Sequence, residues 1–230
     1  MTDFTVLIVA KAPVAGLAKT RLCPPLTHAG AADVAAAALL DTLGVAELAV
    51  GGDRSRVVVS LTGALGDAAR THELTRACSG CHVTAQRGAT FGERLANAHH
   101  DAAVLGTGAP VVQIGMDTPH ADPATLVEAA NVVSQQGIGV IGHATDGGWW
   151  LLGLPSPLGA QALSDVPMSR PDTGFLTRAA LAAHGVELAA VAPLTDVDTW
   201  DDALAVASAH PSSLFADAVR RHGASTGVTA

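Results

Sequence analysis

Positions 6–22 of the chain read VLIVAKAPVAGLAKTRL. The apolar run Phe4–Ala10 is rich in β-branched residues and predicts a buried strand, and the proline and glycine that follow it predict a loop. Lys11 and Lys19, the only lysines of the chain, both lie in this segment together with Arg21. Backbone amides and cations at the end of a strand can face one anion together, so we predict a phosphate-binding loop. The alternative is a solvated turn that contains these cations by chance.

Strands and helices alternate along much of the chain, as judged from the spacing of apolar residues. The predicted helices and strands are, in chain order, helix His28–Gly44, strand Arg56–Leu61, helix Ala64–Ala77, strand His82–Gln86, helix Phe91–Leu105, strand Pro110–Gly115, helix Pro123–Gln135 and strand Gly137–Gly142. Gly44 is expected to end the first helix. Because the strands are apolar throughout, we predict an α/β fold, a three-layer α/β/α sandwich with a mostly parallel sheet. Residues 1–222 would form one domain, and residues 223–230 a disordered tail.

The composition favours an enzyme over a nucleic-acid-binding or membrane protein. The chain has 230 residues, of which 49% are hydrophobic and 15% charged, and its net charge is -8. An acidic surface disfavours nucleic acid as a partner. No apolar run approaches the ~18 residues of a membrane span, and the start MTDF has no leader character, so we predict a cytoplasmic protein without a membrane partner.

The three cysteines are expected to be reduced thiols. Cys78 and Cys81 form a C-x-x-C motif with His72 and His82 nearby, which is one arrangement that could bind zinc. The sequence contains no second C-x-x-C and no H-x-x-x-H that could supply the remaining zinc ligands. We therefore favour the other interpretation, a surface connection between a helix and a strand.

Acidic residues follow three apolar segments, at the places where strands are predicted to end. Asp117 follows the strand PVVQIG, Asp146 follows GIGVIG, and Asp196 and Asp198 follow Pro193. In parallel sheets such positions share one edge, where ligands bind. Hard carboxylate oxygens suit Mg²⁺ or Mn²⁺, so we predict a divalent cation and a nucleotide diphosphate there.

Each acidic turn also has a purely structural interpretation. Asp-x-Pro and Asp-Gly are common turn sequences, and Asp198 and Thr199 are good N-cap residues. Trp149 and Trp150 predict a strand with one ring in the core and one outward. Their position beside Asp146 also makes them candidates for the wall of an acceptor site.

Five segments together resemble a known family: AKAPVAGLAKTRL, QRGATFGERL at 86–95, IGMDTP at 114–119, TDGGWWLLGL at 145–154 and LTDVDTWDDA at 194–203. The chain is similar to bacterial glycosyltransferase-like proteins of GT-A fold. These proteins are named for association with arsenosugar or selenium metabolism, and many are labelled only as a domain of unknown function. Related nucleotidyltransferases include the guanylyltransferase of deazaflavin-cofactor synthesis. The resemblance extends from Val6 to about Ala207 and implies a GT-A-type fold.

Carried over by position, the resemblance implies roles for individual residues. The nucleotide would contact Lys11, Ala12, Pro13, Gly16, Lys19, Arg21, Gln86, Glu93 and Arg94, with Glu93 and Arg94 bracing the first loop. Asp117 and Asp198 would bind Mg²⁺ or Mn²⁺. Asp146 and Lys19 would be catalytic, and the acceptor would lie against Gly147, Gly148 and Trp149. The chain departs from the family pattern at Ala15, Met116 and the tryptophan pair, where proline, serine and tyrosine are usual.

The implied activity is metal-dependent glycosyl transfer from a nucleotide sugar to a small-molecule acceptor. Two alternatives remain open. The first is nucleotidyl transfer from a nucleoside triphosphate to a phosphorylated or carboxylate substrate, and the second is a nucleotide-binding domain without turnover. A homodimer is compatible with each of the three.

Overall fold

The computed structural model describes residues 3–106 and 110–226, and it shows one seven-stranded sheet within them. The strands are β1 (Thr5–Lys11), β2 (Val57–Thr62), β3 (His82–Ala85), β4 (Val111–Gly115), β5 (Gly139–Ala144), β6 (Trp149–Leu154) and β7 (Leu188–Leu194). Their order in the sheet is β3-β2-β1-β4-β6-β5-β7. Only β6 runs antiparallel to its described neighbours, β4 and β5. The mostly parallel sheet is therefore confirmed.

Helices cover both faces of the sheet. They are α1 (His28–Ala49), α2 (Thr71–Ala77), α3 (Phe91–Leu105), α4 (Pro123–Gln136), α5 (Thr173–Ala183), α6 (Trp200–Ala209) and α7 (Leu214–Thr226). Val6 and Ile8 face the side of α1 and α4, whereas Leu7 faces α3. The alternation follows from the period of two along a strand. The layers match the predicted α/β/α sandwich, and α6 and α7 pack on the outer side of α1.

Three boundaries differ from the sequence prediction by more than two residues. α1 continues past Gly44 to Ala49, because Ala46 and Ala49 are buried and their packing offsets the ~1 kcal/mol helical cost of a glycine. The predicted helix 64–77 is broken by Arg70, which adopts a left-handed φ of 53°, so that α2 begins at Thr71. The predicted tail from 223 is helical as far as Thr226, the end of α7. Residues 227–230 lie outside the described residues.

The prediction that no segment reaches membrane-spanning length also needs correction. Helix α1 has 22 residues and is apolar enough to span a membrane by length and composition, but 67% of its apolar window is buried inside the protein. It packs against β1, α4 and α7. A buried core helix passes the same test, and this packing is that of a core helix.

A charged cluster on Asp33 holds α1 to α2 and α7. The Arg70 guanidinium donates two hydrogen bonds to Asp33, at 2.7 and 3.0 Å, and His222 Nε2 lies 2.9 Å from Asp33 Oδ2. The Arg70 hydrogen bonds, with help from His222, lower the pKa of Asp33 to about 2 against the opposing effect of burial. Local propensity does not predict this junction, because its members are distant in sequence.

We expect Asp33→Asn to lower the free energy of unfolding by about 1–3 kcal/mol, the usual effect of losing charge-assisted hydrogen bonds. Urea unfolding at pH 7 measures the change. Because the folded pKa is depressed, this stabilisation is present above the unfolded pKa near 3.8 and is lost as the pH falls towards 2. Asp217→Asn, in an exposed ion pair with Arg220, is the control and should have little effect. Equal losses in the two variants would contradict the prediction.

Candidate active site

The backbone of the first loop is hydrogen bonded to the end of β2 and to the segment before α2. Ala12 donates its N–H to Thr62 O at 2.8 Å, and Pro13 O accepts from Ala69 N at 2.9 Å. Ala12 and Pro13 are buried, whereas Gly16 is exposed and has a φ of 77°, which a glycine adopts without strain. Lys11, at the end of β1, is exposed. Ala12 and Pro13, two of the predicted nucleotide contacts, are therefore buried residues that fix the shape of the loop.

Lys19 connects the predicted phosphate loop to the two predicted metal ligands. Its Nζ lies 3.1 Å from Asp117 Oδ2 and 2.9 Å from Asp198 Oδ1, and its side chain is 14% exposed. Burial opposes its charge, but the two carboxylates outweigh burial and raise the pKa of Lys19. Arg21 also contacts Asp198, at 3.1 Å, from a position that is 77% exposed. The residue types predicted to bind phosphate and metal thus form one site.

Three carboxylates converge at the ends of β4 and β7. Oxygen atoms of Asp117, Asp196 and Asp198 lie within 4.8 Å of one another. Val197 N donates to Asp117 O at 3.0 Å and holds the two segments together. Burial, with repulsion from Asp146, Asp117 and Asp198, raises the pKa of Asp196 to about 6. Three hard oxygen donors whose mutual repulsion a cation would relieve fit Mg²⁺ or Mn²⁺.

Asp117 and Asp198 are the predicted metal ligands, and Asp196 is not among them. Asp196 and Asp198 are two positions apart in a segment without helix or strand. In an extended chain such residues point to the same side. This spacing was the signal that could have identified the third carboxylate.

The β5–β6 connection forms the opposite side of the site. Asp146 Oδ1 accepts from Gly148 N at 2.7 Å. Trp149 is half-buried and its indole N–H donates to Thr177 Oγ1 at 3.1 Å, while Trp150 is buried and donates to Ala192 O. The expectation of one tryptophan in the core and one outward agrees with this arrangement.

Gln86, Glu93 and Arg94 lie at the start of α3 and just before it. Gln86 Nε2 donates to Ala10 O and Ser60 O, each at 3.0 Å. Glu93 Oε2 accepts a hydrogen bond from Ala89 N at 2.7 Å, and Arg94 Nε donates one to Gly88 O at 3.2 Å. These two residues therefore brace the turn before α3 and not the first loop, because Glu93 caps its own helix.

Two cavities meet at Asp117 and Asp198. The Lys11 cavity, of about 450 Å³, is lined by Lys11, Lys19, Arg21, Gln86 and Arg94 among others. The Trp149 cavity, of about 540 Å³, is lined by Asp146, Gly148, Trp149, Gln113 and Asp196 among others. Both include Arg21, Phe91, Asp117 and Asp198. Of the predicted site residues, Ala12, Pro13, Gly16, Glu93 and Gly147 line neither cavity.

In the described part of the chain, the C-x-x-C motif is not part of a cluster of three or more metal-ligating side chains. Within residues 3–106 and 110–226, the one group of at least three metal-ligating side chains is the acidic one. Burial raises the pKa of both thiols, that of Cys78 to about 11. Cys78 ends α2 and Cys81 precedes β3, which is the predicted helix-to-strand connection.

Residues 45–170 match the sequence profile of a family described as an uncharacterized protein conserved in bacteria, DUF2064. The chain belongs to the DUF2064 family. The match confirms the resemblance to bacterial GT-A-like proteins of unknown function. It leaves the first loop and the segment at 194–203 outside the matched range. A comparison with curated proteins gave no significant match.

Solved structures share the fold of this DUF2064 protein. A provisionally named nucleotide-diphospho-sugar transferase from Desulfovibrio desulfuricans matches with a TM-score of 0.77 and 23% identity, covering 98% of this chain and 97% of that chain. Rv0371c from Mycobacterium tuberculosis, in complex with manganese, has a TM-score of 0.52 and 22% identity, covering 89% and 98%. A cytidylyltransferase from Leptospira borgpetersenii has a TM-score of 0.55 and 14% identity, covering 99% and 97%. The predicted GT-A-type fold is confirmed.

Gly147→Ala should lower the free energy of unfolding of this DUF2064 protein by about 1–3 kcal/mol or more. That range is the cost of a non-glycine residue in the left-handed region. Gly147 has a φ of 92°, and an added Cβ would lie 1.9 Å from Pro171 O. Gly148→Ala is the matched control, since its Cβ would lie 3.0 Å from the Asp146 carboxylate without a left-handed φ. Urea unfolding compares the two variants. Unchanged stability of Gly147→Ala would show that the 146–148 turn can rearrange.

Proposed function

We propose that this protein transfers a glycosyl group from a nucleotide sugar to a small-molecule acceptor and that the reaction requires a divalent cation. The observation that supports this proposal most is the junction of a cation-lined cavity with a carboxylate- and tryptophan-lined cavity at Asp117 and Asp198. A donor diphosphate and an acceptor need such adjacent compartments. We further propose that the protein acts in the cytoplasm and without a nucleic-acid partner, in keeping with its net charge of -8.

Lys11, Arg21 and Arg94 would bind the nucleotide phosphates. All three line the Lys11 cavity; Lys11 is the last residue of the central strand β1, and Arg21 lies in the segment that follows this strand. Arg21 is largely exposed, so it can turn towards an anion without losing a buried position. Gln86 stands with its amide bonded to two strand carbonyls and would shape the cavity wall.

Asp117, Asp196 and Asp198 would hold Mg²⁺ or Mn²⁺, the cations that their oxygen donors suit. When bound, such a cation neutralises charge on a diphosphate leaving group. Lys19, now bonded to Asp117 and Asp198, would move to the phosphates. Its proposed catalytic role is to stabilise the negative charge of the departing diphosphate.

Asp146 would act as the general base on the acceptor side. Its carboxylate lines the Trp149 cavity and is oriented by the Gly148 N–H. The acceptor hydroxyl would give its proton to Asp146 while its oxygen bonds to the anomeric carbon, and the bond from that carbon to the diphosphate oxygen would break. Trp149 and Gly148 would position the acceptor for this attack.

A ligand screen tests the proposal. The purified protein is heated with nucleotide sugars or nucleoside triphosphates, each with and without Mn²⁺, because a ligand that binds only the folded state raises the melting temperature. A preference for a nucleotide sugar and release of a nucleoside diphosphate on adding an acceptor are expected. A preference for a triphosphate with pyrophosphate release would favour nucleotidyl transfer instead. Binding without product would favour a non-catalytic domain.

A further inference from the structure

The buried lining of the Trp149 cavity, here called its floor, includes Leu95 of α3 and two polar residues, Gln113 of β4 and Thr173 of α5. The half-buried Val9 of β1 lines it as well. Gln113 pairs in the sheet with Leu7 on one side and Leu152 on the other. A glutamine in the middle of a central strand is costly to bury unless its amide is hydrogen bonded.

The Gln113 amide is not fully hydrogen bonded in this structure. The residue is 3% exposed, and its Oε1 is buried without a hydrogen-bond partner. Gln113 nevertheless lines the cavity, and a rotation of its side chain would present the buried Oε1 to a ligand there. An amide can both donate and accept a hydrogen bond, as a hydroxyl group can. A bound hydroxyl would therefore complete what the protein leaves unpaired.

His99 of α3 lies behind Gln113 and is fully buried. Burial lowers the pKa of His99 to about 4, and its contact with Gln113 offsets this only in part. At neutral pH the imidazole is therefore uncharged, with one N–H and one acceptor nitrogen. Neither ring nitrogen has a well-aligned hydrogen bond, and Gln113 is the polar side chain next to the ring.

The rest of the cavity disfavours an anionic ligand. Asp146 lines the cavity on the side away from Lys19, where its carboxylate would repel a carboxylate or a phosphate. The Arg170 guanidinium is held by Asp172 at 2.9 and 3.1 Å. Trp149 adds an aromatic wall whose indole N–H is already bonded to Thr177. A neutral ring with hydroxyl groups and C–H faces suits these walls.

We propose that Gln113 hydrogen bonds a hydroxyl of a neutral sugar or polyol at the floor of the Trp149 cavity, and that His99 is the positioning residue that orients its amide. This inference extends the proposed function. Only the assignment of the sugar to a donor or an acceptor rests on the proposed function. The sugar can be the donor's glycosyl group or a free acceptor, because the two have the same hydroxyl chemistry.

The test uses Gln113→Met, which is almost isosteric and cannot form these hydrogen bonds, and Gln113→Leu as a second variant in case the first folds poorly. Nucleotide sugars, the matching nucleoside diphosphates, and free glucose, mannose, myo-inositol and glycerol are titrated in Mg²⁺ by ligand-observed NMR. Thr42→Val is the matched control, since Thr42 is a buried polar residue of α1 outside both cavities.

We expect at least a ten-fold loss of affinity for a sugar-bearing ligand in the Gln113 variants, with the affinity for nucleoside diphosphates unchanged. A loss confined to nucleotide sugars assigns the hydroxyl to the donor, and a loss confined to free sugars or polyols assigns it to the acceptor. His99→Leu should weaken the same ligand, and should add nothing in the Gln113→Met background. A structural role alone would make the two losses additive.

Failure of the proposed function gives a different result. If the wild-type protein binds no nucleotide, glycosyl transfer is rejected, and the free sugars and polyols still test Gln113. Equal sugar affinity in wild type and Gln113→Met would overturn the inference. Binding of no sugar or polyol by the wild type, in free or nucleotide-linked form, would overturn it as well.

Discussion

Replacing Lys19 with methionine should strengthen Mn²⁺ binding to the nucleotide-free protein and weaken nucleotide binding. Lys19 Nζ is bonded to Asp117 and Asp198, so it occupies the position of a cation between two proposed metal ligands. Charge-assisted hydrogen bonds are worth about 1.5–3 kcal/mol, and a ten-fold change in affinity corresponds to about 1.4 kcal/mol. We expect changes of about ten-fold in opposite directions, measured by isothermal titration with Mn²⁺ alone and with a nucleoside diphosphate.

Lys11→Met is the matched control for this prediction. Lys11 lines the same cavity, but it forms no ion pair with any residue in the described ranges. It should lose nucleotide affinity while its Mn²⁺ affinity stays close to that of the wild type. Arg21→Ala should also weaken nucleotide binding without unfolding the chain, because its side chain is exposed. A fall in Mn²⁺ affinity in Lys19→Met would contradict the competition between lysine and metal.

Replacing Asp117 or Asp198 with asparagine should nearly abolish Mn²⁺ binding in the presence of a nucleoside diphosphate. Loss of a charged oxygen ligand should lower the Mn²⁺ affinity by at least about 10–100-fold, since that loss is typical when a residue that only orients a metal ligand is replaced. Asp196→Asn should behave in the same way, since its carboxylate lies within 4.8 Å of the others. If the three share one ion, a double variant should lose little more than either single variant.

The structure supplies a sharp control for the alternative in which Asp198 only caps α6. Thr199 is the N-cap, and Asp202 accepts from Thr199 N at 2.7 Å in a capping box. Asp202→Asn should therefore cost ~1 kcal/mol of stability and leave Mn²⁺ affinity unchanged. Titration and urea unfolding of Asp198→Asn and Asp202→Asn separate the two roles. Unaltered Mn²⁺ affinity in Asp198→Asn would remove Asp198 from the metal site.

Local patterns predicted the strands better than the ends of the helices. Strand β4 was expected at Pro110–Gly115 and is observed at Val111–Gly115, because a short apolar run between turn residues has few other solutions. The prediction that α1 ends at Gly44 is wrong, because buried alanines after Gly44 keep α1 helical to Ala49. No element was predicted between β6 and β7, where α5 lies.

The candidate site was predicted to the level of its acidic turns and its first loop. Their positions at strand ends follow from the parallel sheet, in which such ends share one edge. Gln113 was missed because a single polar residue in an apolar strand gives no signal of what lies above it. Glu93 was assigned to the first loop, although its carboxylate caps the turn before its own helix.

The sequence alone determined the alternation of strands and helices, the cation-bearing loop and the three acidic turns, since each depends on residues close together in the chain. Only the tertiary structure decided which of these groups touch. Lys19 is 98 residues from Asp117 and 179 from Asp198. It meets Asp117 because β1 and β4 are neighbours in the sheet, and it meets Asp198 because the segment after β7 returns to Asp117 through the Val197 N–H. Because β6 runs antiparallel to β4 and β5, its first residue Trp149 and the preceding Asp146 lie at the edge of the sheet where β4 and β5 end. Contacts of this range depend on sheet order and packing, which local propensity does not encode.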